Sequence, residues 1–128
     1  MDKKIFSTAG FIGMTAIILG AFGAHALKEV LSPSQLNTFE TGVKYQMYHA
    51  LFLLFLGINT SVNPKIKKTI FLLISFGVLL FSGSIYLLAT MTITNIDLKF
   101  IGILTPLGGL LLILGWGIFT AQFLKNKS

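Results

Sequence analysis

The sequence contains no cysteine. Disulfides, thiolate metal sites and cysteine nucleophiles are therefore excluded. Charge is scarce as well. Asp, Glu, Lys and Arg make up 11% of the 128 residues, against roughly 25% in a soluble domain. So few charged side chains cannot cover a surface that faces water all round, which excludes an ordinary cytosolic enzyme. The chain is not a disordered one either, because 54% of it is apolar and its mean hydropathy is +0.84. With only two histidines and no acid inside a long apolar stretch, zinc would lack its usual third protein ligand. No metal and no cofactor is expected. The strict alternation of β-barrel strands is missing. So are internal repeats of the kind that build inverted-repeat transporters.

What the sequence does have is length without charge. Four stretches lack Asp, Glu, Lys and Arg: Ile5 to Leu27, Tyr45 to Pro64, Thr69 to Ile96 and Phe100 to Leu124. A helix needs about 20 apolar residues to cross a bilayer. Backbone groups in lipid must pair within their own segment, so these stretches must be helices. The expectation is a single all-α domain, an integral membrane four-helix bundle with spans at about 5–27, 43–63, 69–91 and 100–124.

The lysines set an orientation. Lys3 and Lys4 precede the first span, Lys65, Lys67 and Lys68 separate the second from the third, and Lys125 and Lys127 follow the fourth. The other side has Lys28, Lys44 and Lys99 beside Glu29, Glu40 and Asp97. Lysine-rich loops stay in the cytoplasm, so both termini are expected inside a plasma membrane. The net charge of +6 then reflects topology and not nucleic-acid binding. Ala24-His25-Ala26 resembles a signal-peptide cleavage site. The apolar run before it is 20 residues from Ile5 to Ala24, longer than the roughly 7–15 of a signal sequence, so helix one is expected to be retained.

Ser32-Pro33-Ser34-Gln35 carries the signature of a helix start: serine as N-cap, proline first, glutamine three residues after the cap. A short interfacial amphipathic helix is expected there, with a bend at Gly42 leading into helix two. Pro106 is expected to kink helix four against the carbonyl of Gly102. Small residues at Ala16, Gly20 and Ala24, and at Gly109, Gly117 and Ala121, are spaced for close helix packing. They make helices one and four candidate faces for homo-oligomerisation.

Polar residues gather in one half of the membrane. Counted at 1.5 Å per residue, Gln46 lies about 4–5 Å and His49 about 9 Å below the outer end of helix two. His25 is near the outer end of helix one. Ser82, Ser84 and Tyr86 lie in the outer half of helix three, and Thr105 in that of helix four. Gln46 and His49, three apart, share one side of helix two. Facing lipid unpaired would cost several kcal/mol, so these side chains should turn inward. Two roles stay open for them: binding or proton handling, or interhelical glue. A serine-based reaction would need Ser82 or Ser84 beside His49. Tyr45 and Tyr48 suit an interfacial belt. Trp116, about 12 Å from the inner end of helix four, is too deep for one, so its indole N–H needs a partner inside the bundle.

The blocks Gly20-Ala-Phe-Gly-Ala-His25, Thr41-Gly-Val-Lys-Tyr-Gln-Met-Tyr-His49-Ala-Leu51, Phe81-Ser-Gly-Ser-Ile-Tyr86, and Thr105-Pro-Leu-Gly-Gly109 with Gly115-Trp116 carry a resemblance over nearly the whole chain. It resembles the small four-helix membrane proteins grouped as domain of unknown function 423, or uncharacterised protein family 0382, whose eukaryotic relatives are called transmembrane protein 256. The resemblance implies a polytopic bacterial plasma-membrane protein and carries no activity with it.

The leading expectation is a non-enzymatic protein whose outward-facing cluster of His25, Gln46, His49, Ser82, Ser84, Tyr86 and Thr105 binds a small polar molecule or a lipid headgroup. The alternative is a structural protein in which that cluster is glue and assembly is the function. A small oligomeric transporter is the weaker third reading.

Overall fold

The computed structural model describes residues 2–94 and 99–125. Asp97 and Lys127, two of the charges that set the expected orientation, lie outside the described residues. Everything described is helix or connection. Helix α1 runs over Asp2–His25, α2 over Pro33–Ile58, α3 over Pro64–Ala89, a short α4 over Met91–Thr94, and α5 over Leu104–Lys125. Single 3-10 turns cover Leu27–Glu29 and Lys99–Ile103. Residues 2–29, 64–89 and 100–124 are long and apolar enough to cross a membrane. α2 is equally long, but Glu40, Lys44 and their polar neighbours dilute its first half.

The start of α2 follows its sequence signature. Ser32 Oγ accepts from the Gln35 N–H at 3.1 Å, and Gln35 Oε1 accepts from the Ser32 N–H at 3.0 Å. α3 starts the same way, with Asn63 Oδ1 accepting from the Lys65 N–H at 2.9 Å and Pro64 at the first position.

Three local expectations are corrected. The separate interfacial helix does not exist: Pro33 to Ile58 is one unbroken helix, and Gly42 is not a bend. A Cβ at Gly42 would lie 2.7 Å from the Tyr86 ring and 3.0 Å from Ile85 Cγ2, so its missing side chain lets α3 approach α2. Pro106 makes no kink in a helix interior. It is the third residue of α5, where first-turn amides have no helical acceptor to lose, and Gly102 lies in the preceding 3-10 turn. Lys67 is not a loop charge. It sits inside α3, is only 6% exposed, and its Nζ donates to Asp2 Oδ1 at 3.3 Å and to the Gly57 carbonyl at 3.4 Å. That ties the starts of α1 and α3 to the end of α2.

The helices pack in series: α1 on α2, α2 on α3, α3 on α5, and among the described residues no comparable interface joins α1 to α5. The α3–α5 seam is built on glycine. A Cβ at Gly108 would meet the backbone of Phe81, Leu80 and Gly77, one at Gly115 would lie 2.6 Å from Ile74 Cδ1, and one at Gly77 would lie 2.7 Å from Leu112 Cδ2. On α1, Ala16 is buried and a Cβ on Gly20 would touch Val43 of α2 at 3.4 Å. Those members of helix one's small-residue face thus pack within the chain. Gly117 on α5 has open space before it. Ile5, Leu53, Leu56, Ile70 and Ile74 are fully buried at the lysine-rich end. Phe11, Ile17, Phe55, Leu79 and Ile113 stand on the outside, each more than half exposed. A perimeter this apolar suits lipid and not water.

Candidate functional site

The seven expected site residues do not form one cluster. Six of them divide into three separate polar contacts between helices, and the seventh stands apart.

The first contact centres on Gln46. Its Nε2 donates to the Ile12 carbonyl at 2.9 Å and to Thr15 Oγ1 at 2.7 Å, both on α1. Its Oε1 accepts from the Tyr86 hydroxyl of α3 at 2.5 Å. One carboxamide thus joins three helices, with both its protons and its oxygen engaged. Thr15 gives its own proton back to its helix, to the carbonyl of Phe11 at 2.9 Å or of Ile12 at 3.1 Å, so it receives from Gln46 without conflict. Ser82 Oγ donates to the Gly42 carbonyl at 2.8 Å, a second link between α3 and α2.

The second contact joins α3 to α5. Ser84 and Thr105 hydroxyls lie 2.5 Å apart. Ser84 donates to the Phe81 carbonyl at 3.0 Å, so Thr105 supplies the proton between them.

The third contact is His49 with Trp116. Indole N–H can only donate, and it lies 3.0 Å from His49 Nε2. Nε2 must therefore carry the lone pair and Nδ1 the hydrogen. Nδ1 lies 2.7 Å from the Tyr45 carbonyl, which accepts it. Both ring nitrogens are thus used by the neutral imidazole. Phe52 packs on Trp116 at 4.2 Å between ring centroids, and Tyr45 packs on Phe81 at 5.0 Å. Gln46 and His49 diverge, one towards α1 and the other towards α5. Neither Ser82 nor Ser84 bonds His49, so no serine–histidine pair is assembled.

His25 ends α1, is exposed, and joins none of these contacts. Sequence reasoning named the need of Trp116 for a partner but did not pair it. It missed Thr15 and Ser75. Thr15 shares its face of α1 with the buried Ile12 and Ala16, and that is the signal that was there to find. Trp116→Phe should cost about 1–2 kcal/mol, because buried His49 Nε2 is left without a donor. Thermal unfolding in detergent checks this, and a loss below a few tenths of a kcal/mol would mean the bond contributes little.

Two lateral grooves flank these contacts. One, of about 500 Å³, lies between α1 and α3 and is lined by Phe11, Thr15, Gln46, Ser75, Leu79, Ser82 and Tyr86 among others. Ser75 Oγ is the one buried side-chain polar atom without a hydrogen-bond partner among the described residues. The other groove, of about 580 Å³, lies between α2 and α5.

The family model described as "Protein of unknown function (DUF423)" matches residues 19–109. Among curated proteins, a UPF0382 membrane protein of Staphylococcus saprophyticus is 42% identical over 114 residues, covering 88% of this chain and 91% of its own. UPF0382 membrane protein YwdK of Bacillus subtilis is 39% identical over 95% of this chain and 98% of its own. UPF0382 inner membrane protein YgdD of Escherichia coli is 31% identical over 93% and 88%. No solved structure matches. With the family model spanning well over half the chain and relatives aligning along nearly all of it, this protein belongs to the DUF423 family of small membrane proteins.

Proposed function

We propose that the protein crosses the bacterial plasma membrane four times, with both termini in the cytoplasm, and holds a small amphiphile in the groove between α1 and α3. The observation that carries this reading is Ser75. A buried hydroxyl without a partner costs about 1–3 kcal/mol, and this one lines a cavity in which Thr15, Gln46, Ser82 and Tyr86 are already paired within the chain. An occupant bearing a hydroxyl, carbonyl or headgroup oxygen would satisfy it. Phe11, Leu19, Phe76, Val78 and Leu79 give the groove an apolar wall, as an acyl or similar chain requires. Gln46, Ser82 and Tyr86 shape its polar side. His25, His49, Ser84 and Thr105 do not line it.

Ser75→Ala separates binding from folding. Stability is expected to hold within about 0.5 kcal/mol, because no intrachain bond is lost. Native mass spectrometry of the gently released protein should show a discrete adduct on the wild type that is largely lost from the variant. Bare protein in both would sink the binding reading. It would leave the alternative, in which the polar contacts are glue and the protein acts by assembling with itself or another membrane protein. The alternative is favoured by the complete pairing of Gln46, His49 and Ser84 within one chain.

A further inference from the structure

The second groove is wider and differently made. Its wall is aromatic: Tyr48, Phe52, Phe55, Trp116 and Phe119 line about 580 Å³ between α2 and α5. Phe55 and Trp116 are 66% and 45% exposed, so the wall is open sideways, where lipid would lie. One end of the groove is polar. There it is closed by Asn59, Thr60 and Ser61, the turn between α2 and α3. Asn59 Oδ1 accepts from the Ser61 N–H at 2.8 Å. The Asn59 side-chain N–H groups and the hydroxyls of Thr60 and Ser61 have no partner among the described residues, so four side-chain protons in this turn are free to be donated outward.

The charge around this turn is one-sided. Lys3 and Lys4 open α1, and Lys65, Lys67 and Lys68 open α3. The Lys67–Asp2 pair brings both starts to the same end of the molecule, and it engages the one acid there among the described residues. Lys67 also lines a smaller cavity of about 270 Å³ with Asn59 and Thr60 of the same turn. Exposed Lys65 and Lys68 therefore keep their charge unpaired beside a set of uncommitted donors.

An apolar slot ending in hydrogen-bond donors under a cationic rim has the shape and polarity of an anionic lipid. We infer that the groove between α2 and α5 seats one anionic phospholipid of the leaflet at the lysine-rich end. Its phosphate lies on the turn at Asn59, Thr60 and Ser61, and one acyl chain lies along the wall of Phe52, Phe55 and Trp116. The site rests on the protein's being embedded in the membrane and not on the α1–α3 groove, which lies between other helices. Lys65 and Lys68 supply the preference for a net negative headgroup over a zwitterionic one.

The test uses the full-length protein in nanodiscs of phosphatidylglycerol or of phosphatidylcholine, released for native mass spectrometry. One retained phosphatidylglycerol is expected, at least tenfold more abundant than retained phosphatidylcholine. Thr60→Val with Ser61→Ala should cut that retention fivefold or more. Lys65→Gln with Lys68→Gln should shrink the preference between the two lipids. All four positions are exposed, so the fold should survive, which circular dichroism verifies. Ser75→Ala, in the other groove, should leave phosphatidylglycerol retention unchanged, so failure of one site is distinguishable from failure of the other. Equal retention of the two lipids overturns the proposal, as does retention that ignores the turn variants or follows Ser75. Displacement of the lipid by millimolar inorganic phosphate would show an ion site and overturn it too.

Discussion

Replacing Gly108 with alanine is expected to destabilise the protein by about 3 kcal/mol, although it adds a single methyl group. The size follows from what the methyl would meet. The backbone nitrogen of Phe81, the carbonyl carbon of Leu80 and the carbonyl oxygen of Gly77 all lie in its path. A flexible side chain could swing aside, but a neighbouring helix backbone cannot. α5 would have to move away from α3 as a body, loosening Gly115 against Ile74 and Leu112 against Gly77 as well. Helix propensity pushes the other way, since alanine is favoured over glycine in a helix interior by about 1 kcal/mol. The control is on the same helix. Nothing lies within 4 Å of a Cβ at Gly117, so Gly117→Ala should be neutral or slightly stabilising. Denaturation of both variants in the same detergent gives the comparison. If the two behave alike, the helices do not approach as closely as the seam requires.

Gln46→Leu should be nearly as costly, by about 2–4 kcal/mol. In a membrane an interhelical hydrogen bond contributes about 0.6–2 kcal/mol. Gln46 makes three such bonds, to Ile12, Thr15 and Tyr86. The change also strands the Tyr86 hydroxyl in a setting with little water. Tyr86→Phe removes one bond and should cost about 1 kcal/mol. The double variant should then cost clearly less than the sum, because the stranded donor is gone. Strict additivity would show that Tyr86 and Gln46 do not share a bond in the folded protein.

These two sites mark how far the sequence could be read. The helices were legible because absence of charge over some twenty residues is a long-range signal that local detail cannot obscure. The capping box at Ser32 and Gln35 was legible because both partners are three residues apart. What failed were inferences from single residues. Gly42 and Pro106 read as bends, yet each residue type has a second use, at a close approach or in a first helical turn, and only the neighbours decide between them. The inward turn of Gln46, His49, Ser82 and Ser84 was readable from the cost of burying a polar group. Their partners were not. Three residues along a helix is a rotation of about 60° between side chains, enough to send Gln46 to one neighbour and His49 to another. Depth counting fixes height in the membrane and leaves direction around the helix open. Lys67 was misplaced for a related reason: a count of lysines at one end does not say which of them is buried.

The serial packing of α1 on α2, α2 on α3 and α3 on α5 bears on how the chain is made. A ribosome delivers helices one at a time, and here each newcomer finds its main surface on the helix just before it. Contacts between sequence neighbours close small loops and form quickly. Gln46 and Ser82 find their partners on adjacent helices, and His49 is the side chain that waits for a distant one. Gln46 can meet Thr15 once α2 is made, and Tyr86 can meet Gln46 when α3 follows. The bond between Trp116 and His49 skips a helix, so it closes only after α5 has arrived. The single tryptophan of the chain is therefore a built-in reporter of completed folding, and its fluorescence should change at the last step of assembly.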